Sequence, residues 1–232
     1  MNRLSISAIA NAIGALLITV ASAAQAVPLN NAFVAEATLD TGLGGTTLAA
    51  RPELLATVEA DDVDSFSIGA GITGTVQSRV ARETVAGTLD FYWRIKLDPT
   101  STGGGVSAFR LDNFGYANLK DADWRIDGLG SAAPYIGRLF NPATAPDGAI
   151  NFLFTDPAVQ PGDSDGSRFF FLHTDATFFA KTARFDLTGE RPGQISALYS
   201  TYAPAVPEPS SALLLGLGLA GTGLAGKRRS SS

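Results

Sequence analysis

Cysteine is absent from all 232 residues. That excludes a disulfide framework, thiol catalysis and every thiolate metal site. Histidine occurs once, at His173. A Ser-His-Asp triad would have to use it, yet no G-x-S-x-G elbow marks a nucleophile. A histidine-based zinc site would need carboxylate help, and no H-E-x-x-H is present. Cations are also scarce. With Arg3, Lys227, Arg228 and Arg229 set aside, 13 Lys and Arg face 22 Asp and Glu across residues 27–226, a net charge of −9. Such a body repels nucleic acid and anionic lipid, so neither is an expected partner. Long helical periodicity is missing from the interior of the chain, and so is any internal repeat, which argues against propellers and solenoids.

The two ends differ from the interior. Residues 1–26 read as a secretory signal: Arg3 supplies the positive start, "AIANAIGALLITVASAA" the apolar stretch, and Ala24-Gln25-Ala26 the small-x-small cleavage site. Ala21-Ser22-Ala23 is a second candidate site. Cleavage after Ala26 leaves residues 27–203 as an extracellular domain, long enough to bury about 70% of its unfolded surface.

That domain reads as all-β. In "GTLDFYWRIKLD", residues 87–98, Leu89, Phe91, Trp93, Ile95 and Leu97 alternate with Asp90, Tyr92, Arg94, Lys96 and Asp98. Period-2 alternation predicts a strand with one buried and one wet face. "ITGTVQSRV" (72–80) puts Ile72, Val76 and Val80 on one side and Thr73, Thr75, Gln77 and Arg79 on the other. The two runs predict a hairpin turning near Ala81 to Val85. Further strands are expected at 33–39, 65–68, 106–111, 150–154, 167–174, 183–187 and 194–200, all short and separated by Gly, Pro, Asp and Asn. "RPELLATVEA" (51–60) is expected to form a short helix with Pro52 in its first turn. The sum predicts an antiparallel β-sandwich or jelly-roll-like body, flanked by an N-terminal signal helix and a C-terminal apolar helix.

Several motifs compete with plainer readings. "GAGITG" matches G-x-G-x-x-G at Gly69, Gly71 and Gly74, but a β-branched alternating run follows where a dinucleotide site needs a helix; a turn or bulge is expected. "GDSDGS" offers Asp163 and Asp165 as oxygen ligands around a glycine turn, half of a calcium loop without its distal glutamate. Structural calcium there is the one cofactor suggested, against solvated turns as the plainer reading. "DDVD" adds Asp61, Asp62 and Asp64. Paired carboxylates could serve glycoside hydrolysis, but the sequence selects no pair. Tyr92 on the wet face of its strand and Trp124 in "DADWRIDG" are candidate sugar-stacking rings.

The C-terminus carries the most specific signal. Pro207-Glu208-Pro209 precedes an apolar run, Ala212 to Gly226, which ends at Lys227-Arg228-Arg229. Two prolines stiffen an extended segment that a protease can hold. The run of about 15 residues would reach roughly 22 Å as a helix, short of a standard span, and its five glycines weaken it further as a permanent anchor. The cations favour a cytoplasmic end. In this three-part order the tail, residues 204–232 with its linker, resembles the PEP-CTERM sorting signal of Gram-negative bacteria, whose family pairs with exosortase, a membrane-embedded processing enzyme. The same tail is also labelled an ice-binding protein C-terminal domain, but ice faces want regular T-x-T rows and Thr73-Gly74-Thr75 is a single instance. "GTVQSRV…GTLDFYWRI" and "FFFLHTDATFF" resemble the β-rich domains of other PEP-CTERM proteins, which carry over no activity.

The resemblance implies export, transient inner-membrane anchoring through the C-terminal segment, processing, and then the cell surface, outer envelope or exopolysaccharide matrix. The expected function is a non-enzymatic surface or matrix protein. The alternative is a secreted lectin or enzyme acting on extracellular polysaccharide. A cleft with convergent carboxylates would favour the enzyme, and a groove floored by aromatics the lectin.

Overall fold

Alternation builds most of this molecule. The computed structural model describes residues 27–28, 38–69, 71–154, 158–163 and 165–205. Ala24, Ala26, Pro207, Glu208, Pro209, Lys227, Arg228, Arg229 and both terminal helices expected from the sequence lie outside these. Among the described residues, regular structure is strand throughout apart from one 3-10 turn at Pro52–Leu54. Two six-stranded antiparallel sheets pack face to face. The first runs β1 (Val27–Pro28), β7 (Leu119–Trp124), β10 (Phe170–Thr174), β5 (Leu89–Leu97), β4 (Ile72–Glu83), β3 (Ala56–Ile68). The second runs β12 (Tyr199–Pro204), β11 (Phe179–Gly189), β6 (Val106–Asp112), β9 (Ile150–Leu153), β8 (Ile136–Phe140), β2 (Thr38–Gly42). Strands β3 to β5 form a meander, after which the chain passes repeatedly between the sheets. The sandwich expected from the sequence is the fold observed.

The inner faces meet around Trp93. Its ring lies 5.5 Å from Phe109 and 6.2 Å from Phe170, and its Nε1 donates to Thr201 Oγ1 at 2.9 Å. Thr201 in turn donates to Ser78 Oγ at 3.2 Å, so β5, β12 and β4 share one buried polar chain. Leu89, Phe91, Trp93, Ile95 and Leu97 all join this core, as their alternation predicts. Each such side chain contributes about 1.5–3 kcal/mol on burial.

The glycines of "GAGITG" are structural. Gly71 turns the chain between β3 and β4 at φ +87°, and a Cβ on Gly74 would sit 2.2 Å from the Lys96 carbonyl oxygen. β4 and β5 pair as predicted, but the turn lies beyond Glu83, so Ala81 belongs to the strand. Residues 51–60 are not a helix. The 3-10 turn ends at Leu54, and Ala56 begins the 13-residue β3, which absorbs the strand expected at 65–68. β7 and β8 have no counterpart among the strands expected from the sequence, and the run at 194–200 contributes isolated bridges at Ile195 and Ser196 before β12 begins at Tyr199. Of the strand expected at 33–39, only Thr38 and Leu39 are described, within β2.

Candidate functional site

The outer face of the first sheet is not the wet face its polar positions predict. Tyr92 is 6% exposed and Asp90 fully buried. The segment between β2 and β3 folds across this face. It lays Leu48 and Leu54 against Ala81, Tyr92, Phe169 and Phe171, making a second apolar cluster outside the sandwich. Polar ties hold it there. Gly45 N–H donates to Asp123 Oδ1 and Leu48 N–H to Asp127 Oδ2, both at 2.7 Å. Arg51 donates to Asp121 through Nη1 and Nη2 at 2.9 and 3.0 Å, and its Nε donates to Glu53 at 2.8 Å. Burial works against the Arg51 charge, but the Asp121 and Glu53 hydrogen bonds outweigh it and hold the guanidinium more firmly charged than usual.

Strand register then sets two rows of side chains across the face. One is Asp123, Phe171, Tyr92, Arg79 and Asp61 on β7, β10, β5, β4 and β3. The other begins Asp121, His173, Asp90 on β7, β10 and β5. Where the covering segment stops, a cleft of about 580 Å³ remains, lined by Arg79, Arg94, Arg125, Tyr92, Phe169 and Leu129 among others. Phe169 floors it beneath two guanidiniums: Arg79 lies 4.9 Å and Arg94 5.6 Å from the ring centre, a cation–π arrangement. Asp61 takes Nε and Nη2 of Arg79, and the Asp165 carbonyl takes the same two atoms of Arg94. No hydrogen bond among the described residues uses Nη1 of either. Arg125 is held by Asp127 at 2.8 and 3.0 Å. Thus three cations and one carboxylate line a cleft in a protein whose body is strongly acidic.

Deeper along the same face, Glu83, Asp90 and His173 converge. His173 Nδ1 lies 2.8 Å from Asp90 Oδ1 and 3.2 Å from Glu83 Oε1. Burial raises the Asp90 carboxyl above its usual range, against the pull of the His173 hydrogen bond, and it raises Glu83 likewise. Burial alone would lower His173, but the Asp90 bond and the surrounding carboxylates outweigh it and raise it. These carboxylates do not line the cleft.

Other sequence candidates fall elsewhere. Asp163 Oδ2 accepts from Gln160 N–H at 2.7 Å, closing a turn. Asp165, at φ +60°, turns its carboxylate toward Arg94 and Lys96 at 3.7 and 3.8 Å. Cations thus face the side chain that calcium would need. Gly166 serves close packing instead, since a Cβ there would meet the Ile95 carbonyl at 2.2 Å. Asp61 serves Arg79 and Gln77, and Asp62 serves Lys181 and Tyr202, whose hydroxyl burial and Asp62 push up to about 12. Trp124 is packed, with Arg168 5.3 Å over its ring. Arg79 and Arg94 sat in the alternation as polar positions. Asp90 sat there likewise, whereas Arg125 and Glu83 carried no local signal.

At the other end of the chain, Ala205 N–H donates to the Phe178 carbonyl at 2.9 Å, beside edge strand β12. Residues 205–229 match the family model of the PEP-CTERM protein-sorting motif. The chain carries a PEP-CTERM sorting signal. No curated protein and no solved structure matches the chain. The PEP-CTERM signal implies export to the cell envelope or surface and processing by an exosortase. It begins where the sandwich ends, on the sheet that does not carry the cleft. Among the described residues no helix is long and apolar enough to cross a membrane, and the apolar run at 212–226 lies outside them.

Proposed function

We propose that this exported protein is a non-enzymatic surface or matrix component whose sandwich binds an acidic extracellular polysaccharide. The observation that carries the reading is the cleft over Phe169, where Arg79, Arg94 and Arg125 gather in an otherwise acidic body. Guanidiniums recognise carboxylates in a planar, two-pronged geometry, and the Nη1 groups of Arg79 and Arg94 are left for a ligand. Leu129, 56% exposed, supplies an apolar wall for a sugar ring. Burial of Glu83 and Asp90 away from the cleft argues for binding over glycoside hydrolysis, which needs carboxyl groups on either side of the scissile bond.

The test is binding of the full chain to a uronic-acid polymer and to a neutral glucan of similar length, at low and high salt. Selective, salt-weakened binding to the uronate polymer is expected, with Arg79→Ala and Arg94→Ala each losing about 1.4 kcal/mol or more, a factor of at least ten. Equal affinity for both polymers, or unchanged binding in the variants, would remove the cleft from the account. Appearance of shortened chains would replace the lectin with an enzyme.

A further inference from the structure

We propose that Glu83, Asp90 and His173 form a binding site for one divalent transition-metal ion, with zinc as the matching type. Three strands deliver the ligands: Glu83 closes β4, Asp90 lies on β5 and His173 on β10, with Asp90 and His173 direct register partners. Their ligand atoms all lie within 4.8 Å of one another.

The hydrogen bonding at this point is incomplete in a way that a metal resolves. Nδ1 of His173 carries at most one proton. It goes to the nearer oxygen, Asp90 Oδ1 at 2.8 Å. Glu83 Oε1, on a side chain 3% exposed, is left buried without a hydrogen-bond partner. An unsatisfied buried carboxylate oxygen destabilises a fold, so its presence here asks for a reason. A divalent cation in place of the single proton would take all three lone pairs at once and balance two carboxylate charges.

The second oxygens of both carboxylates are already engaged, as metal sites require. Glu83 Oε2 accepts from Thr88 Oγ1 at 2.7 Å, and Asp90 Oδ2 accepts from the Tyr92 hydroxyl at 3.3 Å. Such outer bonds aim the free oxygens inward and fix ligand orientation. One imidazole with two carboxylates suits zinc and its first-row neighbours; calcium wants roughly six to eight oxygens. The His173 side chain keeps 17% exposure, which leaves an approach from solvent and room for a water as fourth ligand. The ion would pin β4, β5 and β10 together beside the arginine cleft.

His173 is the only histidine, so the full chain must be produced without a histidine tag, stripped with chelator, and titrated with zinc by calorimetry. One zinc per chain, a raised melting temperature and a shifted His173 imidazole NMR resonance are expected. Magnesium and calcium should leave that resonance in place. Glu83→Gln keeps the side-chain volume and an acceptor for Thr88, and should weaken zinc binding at least tenfold. Thr88→Val should weaken it about 10- to 100-fold by freeing the Glu83 carboxylate to turn. Absence of stoichiometric zinc binding, or a His173 resonance unmoved at zinc saturation, overturns the proposal, and neither readout depends on a variant folding. Undiminished affinity in Glu83→Gln overturns it as well.

Discussion

Phe91 and Tyr92 are neighbours on β5 that point to opposite faces, and both are buried, at 0% and 6% exposure. Phe91→Ala should cost about 3–5 kcal/mol, the range for aromatic truncation in a core. Tyr92→Ala should cost about 3 kcal/mol, because its ring lies 5.1 Å from Phe171 and 6.4 Å from Phe169 beneath the covering segment. Paired denaturant curves measure both. A Tyr92→Ala loss near 0.5 kcal/mol, roughly the surface range, would mean that the outer cluster contributes nothing. Asp123 adds a pH prediction. Burial raises its carboxyl above the usual range; Oδ1 accepts from Gly45 while Oδ2 has no partner. A carboxyl raised in the fold contributes stability below its unfolded pKa and loses it as pH rises through the folded value. Asp123→Asn keeps the Gly45 acceptor and removes that loss. Its melting temperature relative to wild type should therefore climb as pH rises from about 4, the unfolded carboxyl's value, through the raised folded one. A constant difference across that window would show that Asp123 ionises in the fold as it does in the unfolded chain.

At the scale of elements, what was legible was what is local. The inner face of β5 could be named because five apolar residues alternate without interruption. Its outer face could not be, because the segment that buries it comes from between β2 and β3, tied by Arg51 to Asp121 across 70 residues. β3 was legible only in its last four residues, 65–68, for a different reason. Glu59, Asp61, Asp62 and Asp64 lower its strand propensity, yet it is the edge of the first sheet, where charges suit a strand by discouraging edge-to-edge pairing. The candidate sites divide the same way. Arg79 and Arg94 were visible as polar positions on alternating strands, whereas Asp90 and His173 lie 83 residues apart and only strand pairing joins them. The covering segment is itself testable. Arg51→Ala removes one partner of a mostly buried ion pair and the cation over Phe171, and should cost about 3 kcal/mol. Amide exchange should accelerate first at Leu48 and Gly45, whose N–H groups depend on the docked segment. Uniform acceleration through β4 and β5 would mean that the segment and the sandwich open as one unit.

On the scale of the whole molecule, the acidic sandwich and the sorting segment play separate roles and join at Ala205. The proposed arrangement is a transient tether: stiff Pro207-Glu208-Pro209 outside the membrane, a short glycine-rich run within it, and Lys227, Arg228 and Arg229 holding the far end inside. Cutting near the triplet would release the domain outward with its cleft intact, since the cleft lies on the sheet away from β12. Changing Glu208 or its flanking prolines should leave an uncut, membrane-held precursor. Replacing the three cations should weaken retention before processing without abolishing the cut. Mass spectrometry of surface and medium fractions, from cells with and without the exosortase, reads both outcomes. The mature form should lack "KRRSSS" when the enzyme is present and keep it when the enzyme is deleted. Retention of that terminus in both strains would make the protein a permanently anchored domain, and the glycine-rich run would then have to hold the membrane despite its length.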